Sequence, residues 1–118
     1  MSVLAREYRI ASLLIDLEAS LRMSGLWAQQ PPSGQALASP EPFCVDTLEF
    51  PQWLQFVFLP RMSALIGAGS PLPSRSGIAE MAEFCFAGKH AAMVALLREI
   101  DRVIGEGETG PDPGDPAP

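Results

Sequence analysis

The sequence predicts an all-α fold: a four-helix bundle with a proline-rich irregular arm between its first and second helices. Three observations carry that prediction. Apolar residues recur at helical spacing near both ends of the chain, Ile10, Leu14, Leu17 and Leu21 in one segment and Met93, Leu97, Ile100 and Ile104 in the other, each set stepping by four, three and four. No segment sustains an apolar–polar alternation of period two, so strands are not expected. Pro31, Pro32, Gly34, Pro40 and Pro42 forbid a long helix where they fall, which makes the arm.

The elements follow in order. The first helix spans about Val3 to Met23; Leu13 broadens its apolar stripe, and Gly25 ends it, because glycine takes the left-handed conformation at little cost. Leu26 and Trp27 then fold back onto that helix. In the arm, Ser33 is placed to cap one helical turn, Ser33 to Ala38. Phe43 to Leu48 reads as an extended connector, with Pro42 pushing Glu41 toward extended geometry. The second helix runs from about Pro51 to Ile66, and Pro51 suits its first position, where a missing N–H costs nothing. Its segment Trp53 to Leu59 is apolar nearly all round, as in a helix central to a bundle or covered by a partner. Pro60 lies inside this helix and removes the hydrogen bond to the Phe56 carbonyl, so a kink or break is expected between Phe56 and Pro60. Gly67, Gly69 and Pro71 end it, and Leu72 to Gly77 is a loop. The third helix runs from Ile78 to about Phe86, with Ser76 as cap and Glu80 and Glu83 early, where the helix dipole favours acids. Gly88 separates it from the fourth, Lys89 to Gly105, in which Arg98 and Arg102 sit late.

The 118 residues make one small domain, and the 47% hydrophobic content suits a real core. Eight bases against 14 acids give a net charge of −6, which argues against direct nucleic-acid binding by a basic face. Residues 106–118 hold four acids (Glu106, Glu108, Asp112, Asp115) and no base, leaving 8 bases and 10 acids, a net −2, in the body of residues 1–105. That tail alternates proline with glycine and aspartate and carries no large apolar side chain, so it is expected to be a disordered, solvating segment. Mixed charges in the first seven residues do not suit a signal peptide. The longest apolar stretch, Trp53 to Leu59, is interrupted by Gln55 and stopped by Pro60 and Arg61, well short of the roughly 18–20 residues that span a bilayer. The expected protein is soluble and cytoplasmic, makes no membrane contact, and keeps Cys44 and Cys85 reduced.

The sequence points to no catalytic, metal or cofactor site. The sole histidine, His90, has no second His or Cys at ligand spacing and reads as an exposed residue near a helix start. Cys44 and Cys85, each flanked by apolar neighbours, read as buried thiols acting as small hydrophobes. Gly67-Ala68-Gly69-Ser70 lacks the preceding strand and the lysine of a phosphate cradle and reads as a helix terminator. The densest polar patch is Asp46, Thr47, Gln52, Gln55 and Arg61, set in the most apolar third of the chain. Such groups must be hydrogen-bonded if buried. In one reading they are structural, with Asp46 or Thr47 as a cap and Asp46 paired with Arg61. In the other, Trp27, Asp46, Gln52, Trp53, Gln55 and Arg61 form an interaction surface, since Trp and Arg are common interface anchors.

At this patch the sequence resembles the YqcC-like family of small bacterial proteins. The matching words are Pro42-Phe43, Asp46-Thr47, Trp53-Leu54-Gln55, Val57, Pro60-Arg61-Met62, Pro71-Leu72-Pro73 and Ile78-Ala79 with Glu83. With Leu26-Trp27 and the leading helix they cover roughly residues 3 to 104. Glu80 departs from the pattern, which has a proline opening the third helix. The resemblance implies an all-α bundle and, because family members are linked by name and gene neighbourhood to a tRNA pseudouridine synthase, an association with such an enzyme. The residues do not suggest that enzyme itself, which needs a catalytic Asp in a large mixed-sheet fold and a basic cleft; Asp46 is the one embedded candidate here. The function expected is therefore a non-catalytic helical protein-interaction domain, accessory to a tRNA-modification enzyme as its protein partner. The alternative is a small-ligand binder whose pocket opens between the kinked helix and the arm, and the least favoured reading is an RNA-modifying enzyme centred on Asp46. A homodimer would hide Phe56, Phe58 and Leu59 if no other helix covers them.

Overall fold

The first helix, α1 (Ser2–Met23), buries the stripe its spacing predicts: Ile10, Leu14, Leu17 and Leu21 all lie in the core. Each such side chain taken fully from water contributes about 1.5–3 kcal/mol. The helix ends in a Schellman turn, in which the Leu26 N–H donates to the Leu21 carbonyl (2.9 Å) and the Gly25 N–H to that of Arg22 (3.2 Å). Gly25 sits at φ +75°, the left-handed region that glycine enters without strain. The turn sends Leu26 and Trp27 back onto α1, as the sequence predicts, and the Arg22 guanidinium lies 4.2 Å from the Trp27 ring centre.

The computed structural model describes residues 2–70 and 77–108, and its regular elements there are all helical. The expected loop at 72–76, the Ser76 cap and the Pro71-Leu72-Pro73 word fall outside the described residues, as does the tail from 109 onward. Glu106–Glu108, expected in the tail, instead continue the last helix.

In the arm, a short α2 (Gly34–Leu37) is capped by Ser33, whose Oγ accepts the Ala36 N–H at 3.1 Å. Phe43 to Leu48 is not extended. It coils into a 3₁₀ turn at Pro42–Cys44 and a further turn in which the Thr47 and Leu48 N–H groups donate to the Cys44 carbonyl. Two hydroxyls supply the reason: Thr47 donates to the Ala36 carbonyl (2.7 Å) and Ser39 to the Asp46 carboxylate (2.6 Å), tying this stretch back onto α2. Glu41 is extended, as Pro42 requires.

The second long helix is composite. It opens as α3 (Phe50–Trp53), widens into a π-helical stretch at Leu54–Phe58, and continues as α4 (Leu59–Ala68), which a second Schellman turn closes at Gly69. Pro60 has no N–H for the Phe56 carbonyl, and the chain absorbs this by adding a residue to the turn: the Leu59 N–H donates to Leu54. The expected kink is thus a widened turn within continuous right-handed helix. Then α5 (Ile78–Phe86) and α6 (Ala91–Glu108) form an antiparallel pair, with α6 packed against α1 and α5, and α1 also against α4. The core runs through the four long helices and takes in Phe58 and Leu59, while Phe56 is half-buried. Most of the apolar segment that gave a motive for dimerisation is therefore covered within one chain.

Candidate functional site

The six residues of the sequence-derived surface divide into three environments. Trp53 is buried: its ring stacks on Phe58 (centroids 5.7 Å apart) and Phe50 (6.1 Å), and meets Phe43 edge-on at 4.8 Å. Gln52 belongs to a capping box that opens α3, with its Oε1 accepting the Glu49 N–H at 2.9 Å while the Glu49 carboxylate accepts the Gln52 N–H. Asp46 and Arg61 are exposed and do not meet. Asp46 is taken up by Ser39, and Arg61 makes no ion pair among the described residues, so the expected Asp46–Arg61 bridge is not formed.

Trp27 and Gln55 do come together. The π-helical stretch places Gln55 on the side of the helix facing the returning chain after α1. There its amide makes a two-bond pair with one residue: Oε1 accepts the Ala28 N–H (2.8 Å) and Nε2 donates to the Ala28 carbonyl (3.0 Å). Gln55 is 7% exposed, and among the described residues its second Nε2 hydrogen has no acceptor. It lines a groove of about 520 Å³ between α1 and α4, together with Trp27, Ile15, Leu59 and Pro60 and with the polar Glu18 and Ser63. Ile15, off the core stripe, is 70% exposed at its edge. A buried amide with an unused N–H in a largely apolar groove can donate to one carbonyl while the groove takes the apolar group beside it.

A second groove, of about 420 Å³, opens where the arm meets α3 and α5. Its rings run from Phe43 through Phe50 and Phe86 to His90, each meeting the next edge-on. Glu49 and Cys85 also line it. Both cysteines were expected to be buried; Cys44 is, but α5 turns Cys85 to the surface, where partial burial still pushes its thiol above the ordinary range. His90, expected exposed, is half-buried against Phe86 at 4.9 Å. Four non-glycine residues have left-handed φ among those described, Phe43, Cys44, Ala87 and His90. Two line this groove and the others directly follow a lining residue, Phe43 or Phe86. Each costs on the order of 1–3 kcal/mol and persists only where its surroundings hold it.

Asp101 is a residue that sequence reasoning missed. Among the described residues of its own segment no side chain caps α5, whose N-cap is Gly77. Asp101 reaches across from α6 and accepts the Ala79 N–H at 2.9 Å. Burial raises its carboxyl above the usual range, with the Ala79 and Ile78 N–H groups opposing the shift.

Fold and grooves define a small all-helical bundle domain with two apolar surface clefts. The chain belongs to the YqcC-like family: the model of a family described as tRNA pseudouridine synthase C matches residues 9–103. The solution structure of YqcC from E. coli superposes with a TM-score of 0.76 at 33% identity, covering 86% of this chain and 89% of that one. An uncharacterized protein of Haemophilus influenzae is 41% identical over 70 residues, 59% of this chain and 66% of that one. A protein of Pectobacterium carotovorum subsp. carotovorum named tRNA pseudouridine synthase C is 44% identical over 70 residues, 59% of this chain and 19% of its own length. The match thus spans just under two thirds of the first of these relatives and about a fifth of the second.

Proposed function

We propose that this domain is a non-catalytic partner of a tRNA-modifying enzyme of the pseudouridine synthase class, docking through the groove between α1 and α4. The observation that carries the reading is the Gln55 amide, nine-tenths buried and, among the described residues, holding an unused donor in the groove that Trp27 and Ile15 also line. Such a site suits an apolar side chain and its own backbone carbonyl on a partner chain, with Trp27 as anchor. A second support is the Pectobacterium relative, in which four-fifths of a chain named as that enzyme lies outside the matched stretch. Two activities joined in one chain in one organism commonly meet as separate chains in another.

Asp46 does not suit the role of a catalytic acid. It is exposed and held by the Ser39 hydroxyl in a turn of the arm. The test is size-exclusion chromatography of the purified protein with the pseudouridine synthase from the same genome. A one-to-one complex is expected, lost on Ile15→Asp and on Trp27→Ala and retained on Arg102→Ala. No complex would overturn the function; a complex indifferent to both groove changes would overturn the surface.

A further inference from the structure

The groove at the junction of the arm, α3 and α5 is separate from the docking groove and lies beyond the proposed function. Its lining has a consistent chemistry. Phe43, Phe50, Phe86 and His90 form a chain of rings, with interplanar angles of 68°, 69° and 69° between successive members. Aromatic pairs favour this edge-to-face setting, and the half-buried Phe43 and His90 at the two ends of the row leave ring surface against which a flat group can lie. Aromatic faces carry negative potential and attract cations. The carboxylate on the wall is Glu49, and no lysine or arginine lines the groove among the described residues. The volume, about 420 Å³, falls within the range of small-molecule sites. The non-glycine left-handed residues of the described chain gather at its two sides, Phe43 and Cys44 on the arm, Ala87 and His90 between α5 and α6. Strain concentrated in this way is a recurrent property of ligand clamps.

We infer that the cleft between Phe43, Phe50, Phe86 and Glu49 binds a small, flat organic cation, an aromatic amine or amidinium, whose ring lies among the aromatic side chains and whose charge faces Glu49. The site suits this ligand class on three counts: rings for the planar part, one acid for the charge, and no lysine or arginine among the described lining residues.

Three probes of one shape and different charge test it: benzamidine, benzamide and benzoate, titrated into the full chain and followed by amide NMR. Benzamidine is expected to shift resonances at Glu49–Trp53 and Met81–His90, with benzamide weaker and benzoate silent. Glu49→Gln keeps an acceptor for the Gln52 N–H and so keeps the α3 cap, yet should weaken benzamidine at least tenfold. Cys85 supplies an independent readout, because it lines the cleft while Cys44 is buried. Saturating benzamidine should slow alkylation of Cys85 by iodoacetamide several-fold, and benzoate should not. Equal responses to all three probes, benzamidine shifts confined to the α1–α4 groove, or no shift at all would overturn the inference. None of these results bears on the partner complex, which is read by co-elution.

Discussion

Gln55 is the residue on which the arm depends. Both of its bonds go to the backbone of Ala28, 27 positions away, so the side chain acts as a one-residue strand that holds the chain leaving α1 against the π-helical stretch. Replacing it by alanine leaves a half-buried N–H and C=O without partners, a cost of about 1–3 kcal/mol. Urea unfolding of Gln55→Ala should show that loss as a lower midpoint with an unchanged slope; a midpoint within error of the parent would mean that water replaces the amide. The sequence already required a partner for Gln55, as a polar group in the greasiest segment of the chain. It did not reveal which partner, since nothing local marks Ala28. Trp53 failed differently. Its aromatic character was plain, but whether it faced solvent depended on the turn widened one step further on, which sequence spacing does not reveal. Asp101 left no local signal, because a cap supplied from another helix has no fixed spacing from the end it caps.

At the scale of the element, helical spacing served well wherever the chain was regular. The third helix has the expected bounds, Ile78–Phe86, and the first differs by one residue at its start. It served less well where proline or side-chain hydroxyls redirect the backbone, as in the turn at Pro42–Cys44. The composite helix is the instructive case. Pro60 leaves the Phe56 carbonyl without its usual donor, and the widened turn just before it relieves the ring and sets the rotation of everything upstream, Gln55 and Trp53 included. Pro60→Ala restores the donor and allows ordinary α-helical register, which would turn Gln55 away from Ala28. The packing of Trp53 on Phe58 opposes that rotation. The expected balance is a folded protein in which the Ala28 amide exchanges at least tenfold faster than in the parent, as measured by hydrogen exchange. Unchanged protection would place control of the register in the aromatic packing alone.

Over the whole molecule, α6 is the common wall, and two acids on it respond oppositely to pH. Glu99 faces α1, where it pairs with Arg9 (3.3 Å) and with Arg102 of its own helix (3.0 Å); the hydrogen bond from Arg102 is the main cause of its lowered pKa. Asp101 faces α5, where burial dominates and raises its own. For Glu99 the unfolded chain holds its proton to higher pH than the folded one. Its contribution is therefore present above the ordinary carboxylate range and is lost as pH falls through the lowered value. For Asp101 the folded chain holds the proton to higher pH. Between the ordinary value, near 3.8, and the raised one, the native state binds more protons, so stability from this group falls as pH rises and is level above that window. Asp101→Asn keeps an acceptor for the Ala79 N–H but cannot titrate. Urea midpoints followed from about pH 3 to about pH 7 should therefore move in favour of the Asn variant relative to the parent as pH rises, then run parallel. Glu99→Gln should move the opposite way over the acid end of the same range. If Asp101→Asn instead lost ground to the parent with rising pH, the ionised carboxylate at the start of α5 would outweigh its burial, and α6 would hold α5 by charge rather than by a buried hydrogen bond.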